Sequence, residues 1–145
     1  MDFMTAMDIA ASGMSSQRTH MNTISMNLAN VNTTKTADGG PYQRKEVVFQ
    51  SVPVSDRFES MMRSELDREV KGVKVVRIQK DDRPLKQVHD PGHPDADQQG
   101  YVSYPDINVV EEMANMLTAT RAYEANLSSM TTVRSMVAKA LQIAR

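Results

Sequence analysis

Residues 2–31 read DFMTAMDIAASGMSSQRTHMNTISMNLANV. Within them Phe3, Met7, Ala10, Met14, Gln17, Met21, Ile24, Leu28 and Val31 recur at alternating steps of four and three. Such a run averages about 3.5 residues per step, close to an α-helical turn, so these side chains stack on one face and make a seam for a second helix. No Pro interrupts the run, and Gly13 is its single Gly. Asn30, Asn32, Thr33 and Thr34 follow. Their side chains compete for backbone hydrogen bonds and end the helix.

The far end of the chain repeats the pattern. Val109, Met113, Met116, Thr120, Tyr123, Leu127, Met130, Arg134, Val137, Leu141 and Ala144 keep the same alternation, with Val110, Leu117 and Val133 widening the stripe. No Gly or Pro occurs after Pro105, and Asn108 with Glu111 reads as a capping box. Between the helices the character changes, because nearly all Gly and Pro fall in residues 39–105. Tyr42–Gln50, Gly72–Ile78, Leu85–Val88 and Gly100–Tyr104 read as strands, with Val73, Val75 and Arg77 alternating against Lys74, Val76 and Ile78. Ser55–Glu69 reads as a short helix using Phe58, Met61, Met62 and Leu66, and His89–Gly100 as a turn-rich loop. The expected class is α+β, two long terminal helices forming a coiled-coil-like pair around a small β-rich insert. The division runs 1–34, 35–105 and 106–145, the first and last segments pairing.

Composition narrows the function. The 145 residues carry 17 Lys+Arg against 18 Asp+Glu, a net charge of -1, which argues against a dedicated nucleic-acid binder. There is no Cys, hence no disulfide framework, thiolate metal site or cysteine nucleophile. No apolar run is long enough to span a bilayer, and no secretory signal is visible at Met1-Asp2-Phe3-Met4. Leu, Ile, Val and Phe make up only about a fifth of the chain, and Met reaches 12 copies. A thin core and seams interrupted by Gln17, Thr120 and Arg134 suggest ends that gain order when several copies pack together. Met is flexible enough to face several slightly different neighbours. The competing reading is an ordinary antiparallel helix pair under a small sheet.

One cluster invites a metal. His89, Asp90, His93, Asp95 and Asp97 are ligand types for zinc. Pro91, Gly92 and Pro94 favour instead a run of turns with the Asp side chains bonded to nearby N–H groups, and no further ligand is identifiable. The turn reading leaves metal and cofactor assignments empty, and a small metal-dependent hydrolase using the His89–Asp97 loop stands as the alternative function. No serine nucleophile elbow or phosphate loop occurs, and Gly39-Gly40-Pro41 reads as a turn. His20 reads as solvated or interfacial, Lys71, Lys74, Arg77 and Lys80 as a solvated strand face, and Thr33–Arg44 as a linker or a strap against neighbours.

The step Ser12-Gly13-Met14, followed by Asn27-Leu28-Ala29-Asn30-Val31-Asn32-Thr33, resembles the N-terminal signature of the bacterial flagellar axial proteins of rod and hook. Gly39-Gly40-Pro41-Tyr42 and Asp90-Pro91-Gly92-His93-Pro94-Asp95-Ala96-Asp97 are similar to the proximal rod (FlgC) type within that family. Asn108, Glu111 and Glu112, with the stretch Arg121–Asn126, resemble the axial C-terminal helix. His89 stands where an aromatic is expected. The resemblance implies a structural subunit and no enzyme. It implies export through the flagellar type III apparatus without a cleaved signal, and polymerisation into the periplasmic rod that carries torque to the hook. Partners would be further copies, other rod proteins, the inner-membrane ring and hook–basal-body proteins, and the export apparatus; nucleic acid and direct membrane insertion are not implied. A sister rod protein is the near alternative, whereas a hook subunit needs a larger outer domain. Assembly is expected to use Met7, Met14, Met21, Ile24, Leu28 and Val31 against Met113, Met116, Tyr123, Leu127, Met130, Val137 and Leu141, within the chain or between copies.

Overall fold

A computed structural model describes residues 3–37, 39–54 and 70–143. The expected helix at Ser55–Glu69 lies outside them. Two helices dominate, α1 (Phe3–Ala29) and α2 (Val109–Ile143). Between them come strands β1 (Lys45–Pro53), β2 (Lys71–Lys80), β3 (Lys86–His89) and β4 (Tyr101–Tyr104). β1 and β2 form one antiparallel pair, and β3 and β4 a second. The class is α+β, as the pattern indicates.

The helices run antiparallel, and four contacts fix their register. Gly13 lies against Asn126, Arg18 against Tyr123, Met21 against Thr120 and Asn27 against Glu112. The covered face of α2 is not quite the one its apolar residues suggest. Glu112, Met116, Ala119, Tyr123, Asn126, Met130, Val133 and Val137 are buried or half-buried, again at steps of four and three. Met116, Tyr123, Met130 and Val137 belong to both stripes. Met113, Leu127 and Leu141 are exposed; in place of Met113, Thr120, Leu127 and Arg134 the inward positions lie one residue earlier, at Glu112, Ala119, Asn126 and Val133. The reason is closeness. A helix carrying Gly13 at the crossing admits a small or flat partner, and a Cβ there would stand 2.8 Å from Asn126 Nδ2. At that level the bulkier Leu127 stays outside the gap, while Met116, Tyr123 and Met130 fill the seam on either side of it. Gly13→Leu is therefore expected to destabilise the chain by about 1–3 kcal/mol through overpacking, read as a lower midpoint of helix melting, and Asn126→Gly should recover part of the loss.

At Val73 the β1–β2 pair meets α1 through polar groups. Ser12 Oγ accepts the Val73 N–H at 3.2 Å, and Ser16 Oγ donates to the Val73 carbonyl at 3.1 Å. One turn of helix thus satisfies both peptide groups of a strand residue. Gly72 permits the approach, since a Cβ there would sit 2.8 Å from Ser12 Oγ. The expected alternation in β2 is broken by a bulge: Val48 pairs with Arg77 but Phe49 with Val75, leaving Val76 unpaired and exposed. A two-stranded sheet has little core of its own, and Val73, Val76 and Ile78 remain open to solvent.

Residues 33–37 and 39–42 belong to a closed loop. The Tyr42 N–H donates to the Thr33 carbonyl, and the Thr36 N–H to the Gly40 carbonyl at 2.8 Å. Gly39 and Gly40 take φ of 84° and 81°, a region that favours Gly. Thr34 Oγ1 then donates to Asp95 Oδ2 at 2.8 Å, tying this loop to the one between β3 and β4.

Candidate functional site

Two features stand out from the frame: a buried polar junction and an uncovered apolar face. The junction forms where the end of α1, the approach to β1 and the first turn of α2 meet. Asn27, only 1% exposed, uses its whole amide. Nδ2 donates to the Lys45 carbonyl at 2.9 Å and to Glu112 Oε2 at 3.1 Å. Oδ1 accepts the Lys45 N–H at 2.9 Å and the Tyr42 hydroxyl at 3.0 Å. An amide has two donors and two acceptor sites, and here all four are filled. Asn27 therefore pairs with Lys45 as a neighbouring strand would, extending the sheet onto a helix.

Glu112 is equally buried, at 1%. Its Oε1 receives Arg44 Nη2 at 2.6 Å and Nε at 2.9 Å, while Arg44 Nη1 reaches Asp81 Oδ2 at 3.0 Å. Arg83 continues the chain of charge, 3.2 Å from Asp81 and 3.6 Å from Glu111. Burial alone lowers the Arg44 pKa, but hydrogen bonds and charge from Glu112 and Asp81 outweigh it, so the guanidinium is held above its ordinary value. Burial, aided by the Glu112 charge, pushes the Tyr42 hydroxyl up. No buried side-chain polar atom among the described residues lacks a partner.

The capping box forms only in half. Asn108 Oδ1 accepts the Val110 N–H at 3.0 Å and the Glu111 N–H at 3.4 Å. Glu111 turns to Arg83 instead of reaching back. At the other helix end, Asn30 Nδ2 donates to the Met26 carbonyl and Thr33 Oγ1 to Asn30 Oδ1, closing α1 as the sequence suggests.

His20 packs edge-on to Phe49, with ring centroids 5.5 Å apart. Burial lowers its pKa below 6.5, with Arg44 acting in the same direction and Glu112 and Glu46 opposing. The unfolded chain thus takes up a proton before the folded one does. Stability from this group is complete above about pH 6.5 and is lost as pH falls toward the depressed folded value. His20→Gln should flatten the pH dependence of the unfolding midpoint below pH 6.5; an unchanged slope contradicts the assignment.

In the His89–Asp97 segment Asp90, His93 and Asp97 bond to nearby backbone N–H groups, and Asp95 to Thr34. Asp90 Oδ1 accepts the Gly92 N–H, Asp97 Oδ1 accepts those of Gln99 and Tyr101, and His93 Nδ1 accepts that of Asp95. His89 stacks edge-on against Tyr101. Among the described residues no group of three His, Asp or Glu side chains converges as a metal set would. Pro91 and Pro94 lie in turns between β3 and β4.

The second feature is the face of α2 that α1 does not reach. Val110 is 75% exposed, Met113 60% and Leu117 54%, with Val109, Leu127 and Leu141 also open. At the opposite end of the molecule Phe3 and Met4 of α1 are exposed as well. Met7, Met14, Met21 and Leu28 are half-buried, Ile24 is buried, and Val31 is half-buried just past the helix. Val110, Met113 and Leu117 lie about one turn apart along α2, an exposed apolar stripe of the kind through which proteins meet partners. No described helix is long and apolar enough to cross a membrane.

The sequence matches two family models at the two helical ends. Residues 7–35 match the flagella basal body rod protein model, and residues 98–143 match the C-terminal model of the flagellar basal body rod FlgEFG proteins. The flagellar basal-body rod protein FlgC of Borreliella burgdorferi is 40% identical, covering 99% of this chain and 98% of its own length. Its counterparts in Bacillus subtilis and Salmonella typhimurium are each 36% identical over at least 97% of both chains. The chain belongs to the FlgC family of flagellar basal-body rod proteins. The motif residues of that family now have physical roles. Gly13 permits the helix crossing, Asn27 and Tyr42 meet in the junction, and Asn30 and Thr33 cap α1, with Ala29 its last residue. Gly40 and Pro41 lie in the closed loop, Asp90 and Asp97 hold turns, Asp95 ties their loop to Thr34, Asn108 caps α2, and Glu112 anchors Arg44. Ser12, Ser16 and Arg44 stand in quoted stretches without a role of their own, and Asp81 in none; no local pattern marks a residue whose partner lies far along the chain.

Proposed function

We propose that the chain is a structural subunit of the flagellar basal-body rod that joins its neighbours through the terminal helices. The reading is carried by the open apolar face of α2 around Val110, Met113 and Leu117, in a chain whose relatives bear the name of rod proteins. A face of that size costs solubility unless something covers it. Head-to-tail contacts between such ends, when they do not close into a ring, build an open helical polymer. Torque is then resisted by many interlocked helices rather than by one strong bond. The neighbours are further copies and other rod proteins, with the inner-membrane ring below and the hook–basal-body proteins above. Export proceeds without a cleaved signal, and the protein performs no catalysis. Residues 1–34 and 106–145 form the axial part, and residues 35–105 an outward insert held to it by the Asn27–Glu112–Arg44 junction. The ends of the free chain gain order on assembly.

Leu127 separates assembly from folding, because it is 44% exposed in the single chain. Leu127→Asp should leave the helical circular dichroism unchanged while abolishing rod assembly and motility in cells that carry only this variant. Leu28→Asp, at a half-buried position, should abolish both assembly and part of the helix signal. Normal motility in the two variants rejects the reading.

A further inference from the structure

We propose that Met113 is an oxidation site that decides whether the free chain can enter the rod. The proposal rests on the reading above, that the open face of α2 is covered only on assembly. With no Cys and no Trp in the sequence, the thioethers are the chain's most readily oxidised groups. The described methionines fall into two environments. Met7, Met14, Met21, Met116 and Met130 are half-buried, and Met21 Sδ also accepts the Thr120 hydroxyl at 3.5 Å. Met4, Met26, Met113 and Met136 are exposed. Met113 differs from these by its surroundings. Val109 and Val110 lie one turn before it and Leu117 one turn after, all exposed, so its sulfur sits in the middle of an apolar face.

A peroxide transfers one oxygen atom to a thioether. The O–O bond breaks, an S–O bond forms, sulfur loses two electrons and water leaves; with hypochlorous acid, water supplies the oxygen and chloride leaves. The sulfoxide is a strong hydrogen-bond acceptor where the thioether was a weak one. On the free chain it stays hydrated, and the fold is unaffected. In a packed apolar interface it loses its water and finds no donor, which opposes burial. Oxidised chain therefore folds but does not join. Methionine sulfoxide is reduced again by thiol-dependent reductases, so the block is reversible. Once the chain is in the rod, the neighbour that covers the sulfur also protects it.

The test uses cells in the course of rod assembly, pulsed with hypochlorous acid. The chain is recovered separately from isolated basal bodies and from the unassembled pool, and sulfoxide at Met113 is measured by peptide mass spectrometry. Burial that rejects the sulfoxide predicts a depletion of about tenfold or more in the basal-body pool. Basal bodies oxidised after isolation should gain little sulfoxide at Met113. Met113→Gln places a polar group of similar length there and should lower incorporation without changing the helical circular dichroism. Equal Met113 sulfoxide in both pools, or normal incorporation of Met113→Gln, overturns the proposal and leaves the rod reading standing. Absence of the chain from untreated basal bodies overturns the rod reading itself.

Discussion

Replacing Asn27 with Ala is expected to lower the stability of the folded chain by about 4 kcal/mol, since the groups left unpaired each cost about 1–3 kcal/mol when buried. The loss is not that of one side chain. The Lys45 N–H and carbonyl, the Tyr42 hydroxyl and one Glu112 oxygen all lose a partner at once. An apolar residue at this position does not help, because its neighbours are polar and remain so. Asn27→Asp sharpens the argument. It keeps the shape and can still accept from Tyr42 and the Lys45 N–H, but it donates nothing and sets a second carboxylate against Glu112. It should therefore cost at least as much as Ala at neutral pH. Thermal unfolding followed at 222 nm would check both, and a loss below about 1 kcal/mol for Asn27→Ala, the scale of a single ordinary hydrogen bond, contradicts the four-partner account.

The second large effect is expected at Arg44. Removing one partner of a buried ion pair leaves an uncompensated charge and typically costs about 3–5 kcal/mol. Arg44→Met does so twice, stranding Glu112 and weakening the hold on Asp81. The sign of a second substitution distinguishes a pair from mere packing. In the Arg44→Met background, Glu112→Gln removes the stranded charge and retains an oxygen for the Asn27 amide. The double variant should be more stable than Arg44→Met alone, although Glu112→Gln alone is destabilising. Additive losses would show that the two side chains act independently. The same junction ties β1 to the end of α1 through Asn27 and Lys45, so Arg44→Met should also loosen β1 from α1, visible as faster amide exchange at Lys45.

Much of this architecture is legible in the residue pattern, for a physical reason. A helix that must bury one face writes a period near 3.6 into its apolar residues, and both α1 and α2 do so over many turns. The strand pattern lies within a few residues of the observed strands for the same reason, with Gly and Pro marking the turns between them. The misplacement of the α2 seam has an equally definite cause. Periodicity assumes that the inward residue is the apolar one. Glu112 is inward because Arg44 neutralises it from 68 residues away, and Asn126 because Gly13 leaves room for it. Neither fact is encoded near α2. The start of β1 was misjudged similarly: Tyr42 and Arg44 have strand-like side chains but serve the junction, and the ladder begins at Lys45. The motif at Asn27 was recognisable as a family signature before its purpose was visible, since an amide that imitates a strand peptide looks, in sequence, like any other helical Asn.

On the proposed assembly the outer face of α2, open in the single chain, is covered in the rod. Because the natural sequence has no Cys, a single thiol reports on this without interference. Leu117→Cys places it on the face, at a position 54% exposed in the single chain. Labelling of that thiol by a maleimide should be fast in the purified chain and strongly suppressed in isolated basal bodies. Equal labelling rates in the two states would contradict the account.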